Sequence, residues 1–133
     1  MVVIPKNVAD LFVPDTVKVL VTCDRAGQPH AIACGSIDLC PLEVGKVLVG
    51  EILMKKAAEN LRTTKKASIL LTSGTTSYEL ILENPERLTS GRAVDKMNLK
   101  LSAIGLKANA VWCFNTVAIY DQSATPAAGT RIA

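Results

Sequence analysis

Hydrophobic residues are grouped along this chain in strand-length runs that turn-forming residues separate. Val17–Cys23 is a β-branched run, and Pro29–Ile37 is a second extended segment. Asp24-Arg25-Ala26-Gly27-Gln28 lies between them, and its Asp and Gly suit a short hairpin loop. Lys46–Gly50 reads as a third strand, set off by the turn-prone Pro41-Leu42-Glu43-Val44-Gly45. The character then changes. Met54–Thr63 is rich in Lys, Ala, Glu, Leu and Arg, all good helix formers, and Leu53, Ala57 and Leu61 draw a narrow apolar stripe at four-residue spacing. Ala67–Thr72 and Ser77–Leu82 return to strand character around the turn Ser73-Gly74-Thr75-Thr76, and Asn84-Pro85-Glu86 reads as a tight connection. Val94, Met97, Leu101 and Ile104 trace the face of a second, longer helix that stops near Gly105. Ala110–Tyr120 is the last strand. Ser123–Ala133 is small and polar and reads as a tail, frayed or extended over a partner.

No internal repeat or linker interrupts the pattern, so residues 1–133 are read as one domain. Several strands on short turns, with two helices, predict a closed or nearly closed antiparallel barrel. A composition 49% hydrophobic and 20% charged excludes a disordered chain. The apolar runs are too short to span a bilayer, and Met1–Lys6 shows no basic region followed by a long apolar one, so a cytoplasmic location is expected. A net charge of +3 with scattered basic residues and only 4% aromatics argues against nucleic-acid binding. Cys23, Cys34, Cys40 and Cys113 form no Cys-x-x-Cys, and His30 is the only histidine, so no metal site is expected. Cys23, Cys34 and Cys113 read as small buried hydrophobes.

The candidate chemistry lies between the first strand and the first helix. The order Gly27-Gln28-Pro29-His30, then the strand Ala31–Ser36, then Lys55-Lys56 followed by Asn60-Leu61 resembles the FMN-binding split barrel of the pyridoxamine 5′-phosphate oxidase superfamily. The tail Tyr120-Asp121 with Ala128-Gly129-Thr130-Arg131-Ile132 also recurs in some small members of that superfamily. The resemblance covers residues 16–72 well and the rest loosely. It implies a mainly β protein: an antiparallel split β-barrel of Greek-key order with about six strands, one short helix and one longer one. It also implies FMN held at the interface of a homodimer.

The residues agree with that placement. Lys55 and Lys56 at a helix start combine two ammonium groups with free backbone N–H groups and the positive end of the helix dipole, a match for a flavin phosphate. A solvated basic helix end accounts for the same residues, and Ala57 stands where small family members often carry a Thr hydroxyl. Ala33, Cys34 and Gly35 are small enough for a flavin ring to approach the backbone, and a core strand of small residues explains them equally well. Ser36 is a candidate donor to the ring or ribityl chain, with Val49 and Gly50 flanking the groove one strand over. His30 faces either the cofactor or solvent at the strand end.

Hydroxyls of the loop Thr72–Ser77 are minor candidates, as are Asn60 and Arg62. Trp112 reads as core or interface. No catalytic residue is assigned, because the flavin carries the hard chemistry.

Three functions remain open at this point. The first is an FMN-binding redox protein, either an electron carrier or a flavin-dependent reductase. The second is a pyridoxamine 5′-phosphate oxidase proper, which the short chain and the lone C-terminal Arg131 disfavour. The third is a non-catalytic module for haem or a deazaflavin, the haem version weakened by a single histidine. Val111, Trp112, Phe114 and the small-residue strand Ala31–Gly35 are expected to leave apolar surface that a second copy covers, giving a homodimer with two FMN. The redox partner is not legible.

Overall fold

The computed structural model describes residues 1–133. Eight strands and three helices follow in the order α1 (Lys6–Ala9), β1 (Val17–Cys23), β2 (Pro29–Ala33), β3 (Ile37–Leu39), β4 (Lys46–Gly50), α2 (Lys55–Thr63), β5 (Lys66–Ser73), β6 (Thr76–Leu88), α3 (Arg92–Ser102), β7 (Val111–Asp121) and β8 (Thr130–Arg131). The sheet runs β2-β1-β5-β6-β7-β4-β3, with β8 added beside β7. All paired neighbours are antiparallel.

The two edge strands, β2 and β3, are consecutive in the chain. Cys34, Gly35 and Ser36 join them, so the sheet must curl until its edges nearly meet. The Cys34 N–H donates to the Lys18 carbonyl on β1 at 2.9 Å, and the Gly50 N–H on β4 donates to the Ser36 carbonyl at 2.8 Å. These two bonds tie the link to both sides of the opening. The single extended segment expected over Pro29–Ile37 is therefore two strands. Its break is a tertiary event: the chain leaves one sheet edge and enters the other.

Alternation along β1 divides inside from outside. Lys18, Leu20 and Thr22 are buried, while Val17, Val19 and Val21 face outward. The interior joins Leu20 to Ile69, Leu71, Leu80, Leu82, Val47, Val49, Trp112, Phe114 and Ile119, with Ala57, Ala58 and Leu61 of α2 and Val8 of α1 as plugs. Each large apolar side chain fully buried there contributes roughly 1.5–3 kcal/mol. A second cluster forms outside the barrel, where Ala93, Val94, Met97 and Leu101 of α3 cover Leu48, Val111 and Cys113.

Four expectations change here. Leu53 precedes α2 in a left-handed conformation (φ 53) and is fully exposed, so the α2 stripe is Ala57 and Leu61 with Ala58. Ile104 lies beyond α3 and is exposed. Asn84-Pro85-Glu86 is no connection but a bulge inside β6, marked by a register shift and by φ 52 at Asn84. Proline, with no N–H to donate, is tolerated at such an irregularity. The tail folds back on its own chain. Ile132 donates to Ile119 at 2.8 Å, Ile119 donates to Ala133 at 3.1 Å, and Thr130–Arg131 pair with Tyr120–Asp121.

The surface left for a second copy also differs from the expected one. Val111, Trp112 and Phe114 are buried within one chain and offer nothing to a partner. Half-buried apolar side chains remain on the outer face of β2, β1, β5 and β6. The pairings Ala33–Val19–Leu70 and Ala31–Val21–Ser68–Ile81 place these side chains in two rows across that face.

Candidate functional site

Two lysines open α2 without the usual complement of a helix start. Met54 occupies the N-cap with no side-chain hydrogen bond, and the first turn holds no acidic residue. The Ala58 N–H bonds back to the Met54 carbonyl. The N–H groups of Lys55, Lys56 and Ala57 precede it and find no partner within the helix. Two cations at the positive end of a helix dipole repel it, and a bound anion would reverse that sign. The strained Leu53 sits immediately upstream, where its backbone sets the angle of helix entry.

Lys55 and Lys56 face different grooves. Lys55 lines a hollow of about 240 Å³ with Glu51, Leu53, Met54, Ala58, Arg62 and Asn109. Lys56 lines one of about 390 Å³ with Asp24, Arg25 and Ala26 of the β1–β2 hairpin and with Glu59, Asn60 and Thr63. Asn60 is buried, and its Nδ2 donates to the Thr22 hydroxyl at 3.1 Å. The Thr64 hydroxyl donates to the Cys23 carbonyl at 3.1 Å. These contacts hold the lysine helix against the hairpin. His30 is half-buried, directly across from Thr22 on β2.

The small-residue candidates gather at the other end of β2. Ala33 is exposed, and a side chain added at Gly35 would meet nothing within 4 Å, so the chain's own packing does not demand a small residue there. Ser36 is buried. Its hydroxyl donates to the Gly50 carbonyl at 2.8 Å and lies 3.2 Å from Cys34 Sγ. Gly50 has the opposite character to Gly35, because a Cβ there would stand 3.0 Å from Ser36 Cβ and 3.2 Å from Met97 Cγ. Val49 points into the barrel interior.

Of the nine candidates, Lys56 and His30 stand at the hairpin end of β2 and Ala33, Cys34, Gly35, Ser36, Val49 and Gly50 at its far end, while Lys55 lines the separate hollow beside Glu51 and Arg62. Four residue steps of β2 separate Pro29 from Ala33, about 13 Å. A phosphate, a five-carbon ribityl chain and the near edge of a flavin ring cover that span end to end. The open Gly35, the exposed Ala33 and the uncapped α2 are compatible with FMN laid along this strand.

Sequence reasoning missed two clusters. Glu51 accepts hydrogen bonds from Arg87 Nη2 at 2.7 Å, Arg87 Nε at 3.2 Å and Trp112 Nε1 at 2.9 Å, while Arg62 lies 6.0 Å from the Trp112 ring. The Arg87 bonds, then the indole, hold the Glu51 carboxyl below its ordinary pKa against the opposing effect of burial. The other cluster lines a cavity of about 570 Å³ between the far end of β2 and the C-terminal end of α3. Lys18, Lys100, Ala33, Cys34 and Gly35 are among its walls. The period-two pattern of β1 carried the signal, since Lys18 shares the inward face with Leu20 and Thr22.

No family model matches the sequence, and no curated protein matches it. Solved structures do share its architecture. HupZ of Group A Streptococcus superposes with a TM-score of 0.79 at 18% identity, over 95% of this chain and 99% of that one. An FMN-binding protein of Syntrophomonas wolfei gives 0.72 at 18% identity, over 88% of this chain and 82% of that one. A pyridoxamine 5′-phosphate oxidase candidate of Lactobacillus delbrueckii gives 0.70 at 18% identity, over 88% and 93%. An F420 reductase and HutZ, the haem storage protein of Vibrio cholerae, share the architecture at 11% identity each, with TM-scores of 0.67 and 0.66. With its curled antiparallel sheet and its three helices, the chain has the split β-barrel fold of the pyridoxamine 5′-phosphate oxidase-like proteins.

Proposed function

We propose that this chain is an FMN-binding redox protein, an electron carrier or flavin-dependent reductase, that works as a homodimer of single-domain subunits. The observation that carries the reading is the uncapped, acid-free start of α2 with Lys55 and Lys56, together with the exposed Ala33 and open Gly35 at the far end of β2. The likeness to an FMN-binding protein of the same fold supports it.

Bound FMN would supply electron or hydride transfer between a donor and an acceptor. The chain's own residues would bind and orient it. Lys56, with the N–H groups of the first turn, would hold the phosphate from the hairpin-side groove, and Lys55 would add positive charge from the adjoining hollow; His30 stands at that end of the strand. Backbone groups of Ala33–Gly35 take the ring edge, and the Ser36–Gly50 bonds fix the position of that backbone. A second copy would cover the apolar rows on the outer face of β2, β1, β5 and β6, burying them at roughly 25 cal/mol per Å² before association costs.

The test is a calorimetric titration of the full chain with FMN, riboflavin, FAD, F420 and haem, alongside light scattering. FMN should bind most tightly and the mass should be that of a dimer. Lys56→Ala should weaken FMN tenfold to a hundredfold and leave riboflavin nearly unchanged, as for loss of a charge-assisted bond to phosphate. Equal affinity for FMN and riboflavin would refute the phosphate site. Tightest binding of haem or F420 would replace FMN as the cofactor.

A further inference from the structure

The 570 Å³ cavity between β1, the β2 corner and α3 has the size of a small-molecule site and an unusual charge content. Val17, Leu101, Ala103 and Ile104 supply apolar wall. Lys18 projects from the inward face of β1 and is only 5% exposed. Its ammonium donates to the Val13 carbonyl at 2.6 Å and to the Thr16 carbonyl at 3.3 Å, and it makes no salt bridge. Lys100 enters from α3. It shares the Asp38 carboxylate with Lys96, at 3.8 and 3.6 Å. Two ammonium groups and no carboxylate therefore line this hollow. A buried cation without a counter-charge is costly, and burial first, then the charge of Lys100, hold Lys18 below its ordinary pKa; Asp38 and Cys34 oppose this. An anion in the cavity would relieve both effects.

We propose that this cavity binds an apolar organic acid, with Lys18 and Lys100 gripping its carboxylate and the α3 end and Val17 holding its hydrocarbon body. Ala33, Cys34 and Gly35, the residues proposed to take the ring edge, form one wall of this cavity, so the acid and the ring would share that wall. Its status as a redox substrate rests on the FMN reading, whereas its binding does not.

The probes are 1-naphthylacetate and its neutral counterpart 1-naphthylacetamide, titrated calorimetrically into the full chain with and without saturating FMN. The acetate should bind at least tenfold more tightly than the amide. Lys18→Met should abolish that preference while leaving the amide unaffected, and Lys100→Gln, a half-exposed and structurally mild change, should reduce it severalfold. Urea midpoints of both variants establish that they fold. Equal binding of acetate and amide, no binding of either, or an acetate preference that survives in both folded variants would overturn the proposal. Competition between FMN and the acetate would overturn the acid's role as a redox substrate beside the ring. If FMN fails to bind while the acetate preference stands, the cofactor reading falls and the acid site remains.

Discussion

Gly50→Ala tests the corner where the sheet edges meet, because the replacement isolates packing from backbone strain. Gly50 has no left-handed φ, so alanine suits its conformation, and the whole effect comes from the added methyl. That methyl would sit 3.0 Å from Ser36 Cβ, 3.2 Å from Ser36 Oγ and 3.2 Å from Met97 Cγ. Met97 is flexible and yields by rotation. Ser36 does not yield easily, since its carbonyl accepts the Gly50 N–H and its hydroxyl donates to the Gly50 carbonyl, both at 2.8 Å. Overpacking against a pinned neighbour costs about 1–3 kcal/mol.

Ser36→Gly removes both clashing atoms. In that background the Gly50→Ala change should be neutral or gain about 0.4–1 kcal/mol through the less flexible unfolded chain. The expected coupling between the two sites is therefore at least about 1 kcal/mol. Urea denaturation of the four members of the cycle, read from midpoints at constant slope, measures it. Additivity within about 0.5 kcal/mol would refute the reasoning, for it would mean that the corner relaxes freely.

Two further outcomes follow from the titratable groups. The folded state holds the Glu51 carboxyl below its ordinary value, so its contribution to stability is present above the unfolded pKa and is lost as pH falls through the folded one. The stability gap between the native chain and Glu51→Gln should thus be full at pH 7 and shrink below about pH 4.5; a gap that widens on acidification would contradict the Arg87 and Trp112 bonds. Burial pushes the Cys113 thiol up to about 11, with Cys40 adding to the effect. Alkylation at pH 8 followed by peptide mapping should leave Cys113 unmodified until the chain is unfolded, and rapid labelling in the native protein would show that α3 opens.

Much of this architecture was legible in local sequence. The bounds of β1 and β4 match their β-branched runs, and the lysine helix begins where its composition changes, because neighbouring residues decide these features. What escaped was decided at a distance. Nothing within Pro29–Ile37 announces a change of sheet edge at Cys34, and the tail reads as polar filler until β7 offers it a partner. Pro85 punctuates the sequence but only bends β6, because β7 continues to pair on both sides of the bulge. At the candidate site the lysine pair of α2 stood out by composition. Lys18 did not, since a lysine in a strand ordinarily marks the wet face, and only its register with Leu20 and Thr22 turns it inward. Glu51 follows β4, Arg87 lies on β6 and Trp112 on β7, and the three meet only in the fold.

The sheet order also governs how the chain finds its structure. The hairpin β5–β6 closes across a two-residue turn, with Ser73 opposite Thr76, and β7 extends it after α3. β1 instead finds β5 with Lys18 opposite Leu71, and β4 finds β7 with Lys46 opposite Asn115, pairings 53 and 69 positions apart. Loop-closure entropy must be met before such contacts return any stability, which places folding on the millisecond-to-second scale rather than the microsecond one. The corner at Cys34–Ser36 needs both long-range pairings in place, since β2 rests on β1 and β3 on β4. The segment proposed to carry the cofactor is therefore among the last parts of the molecule to be built, and ligands held there should slow unfolding while leaving the rate of folding nearly unchanged.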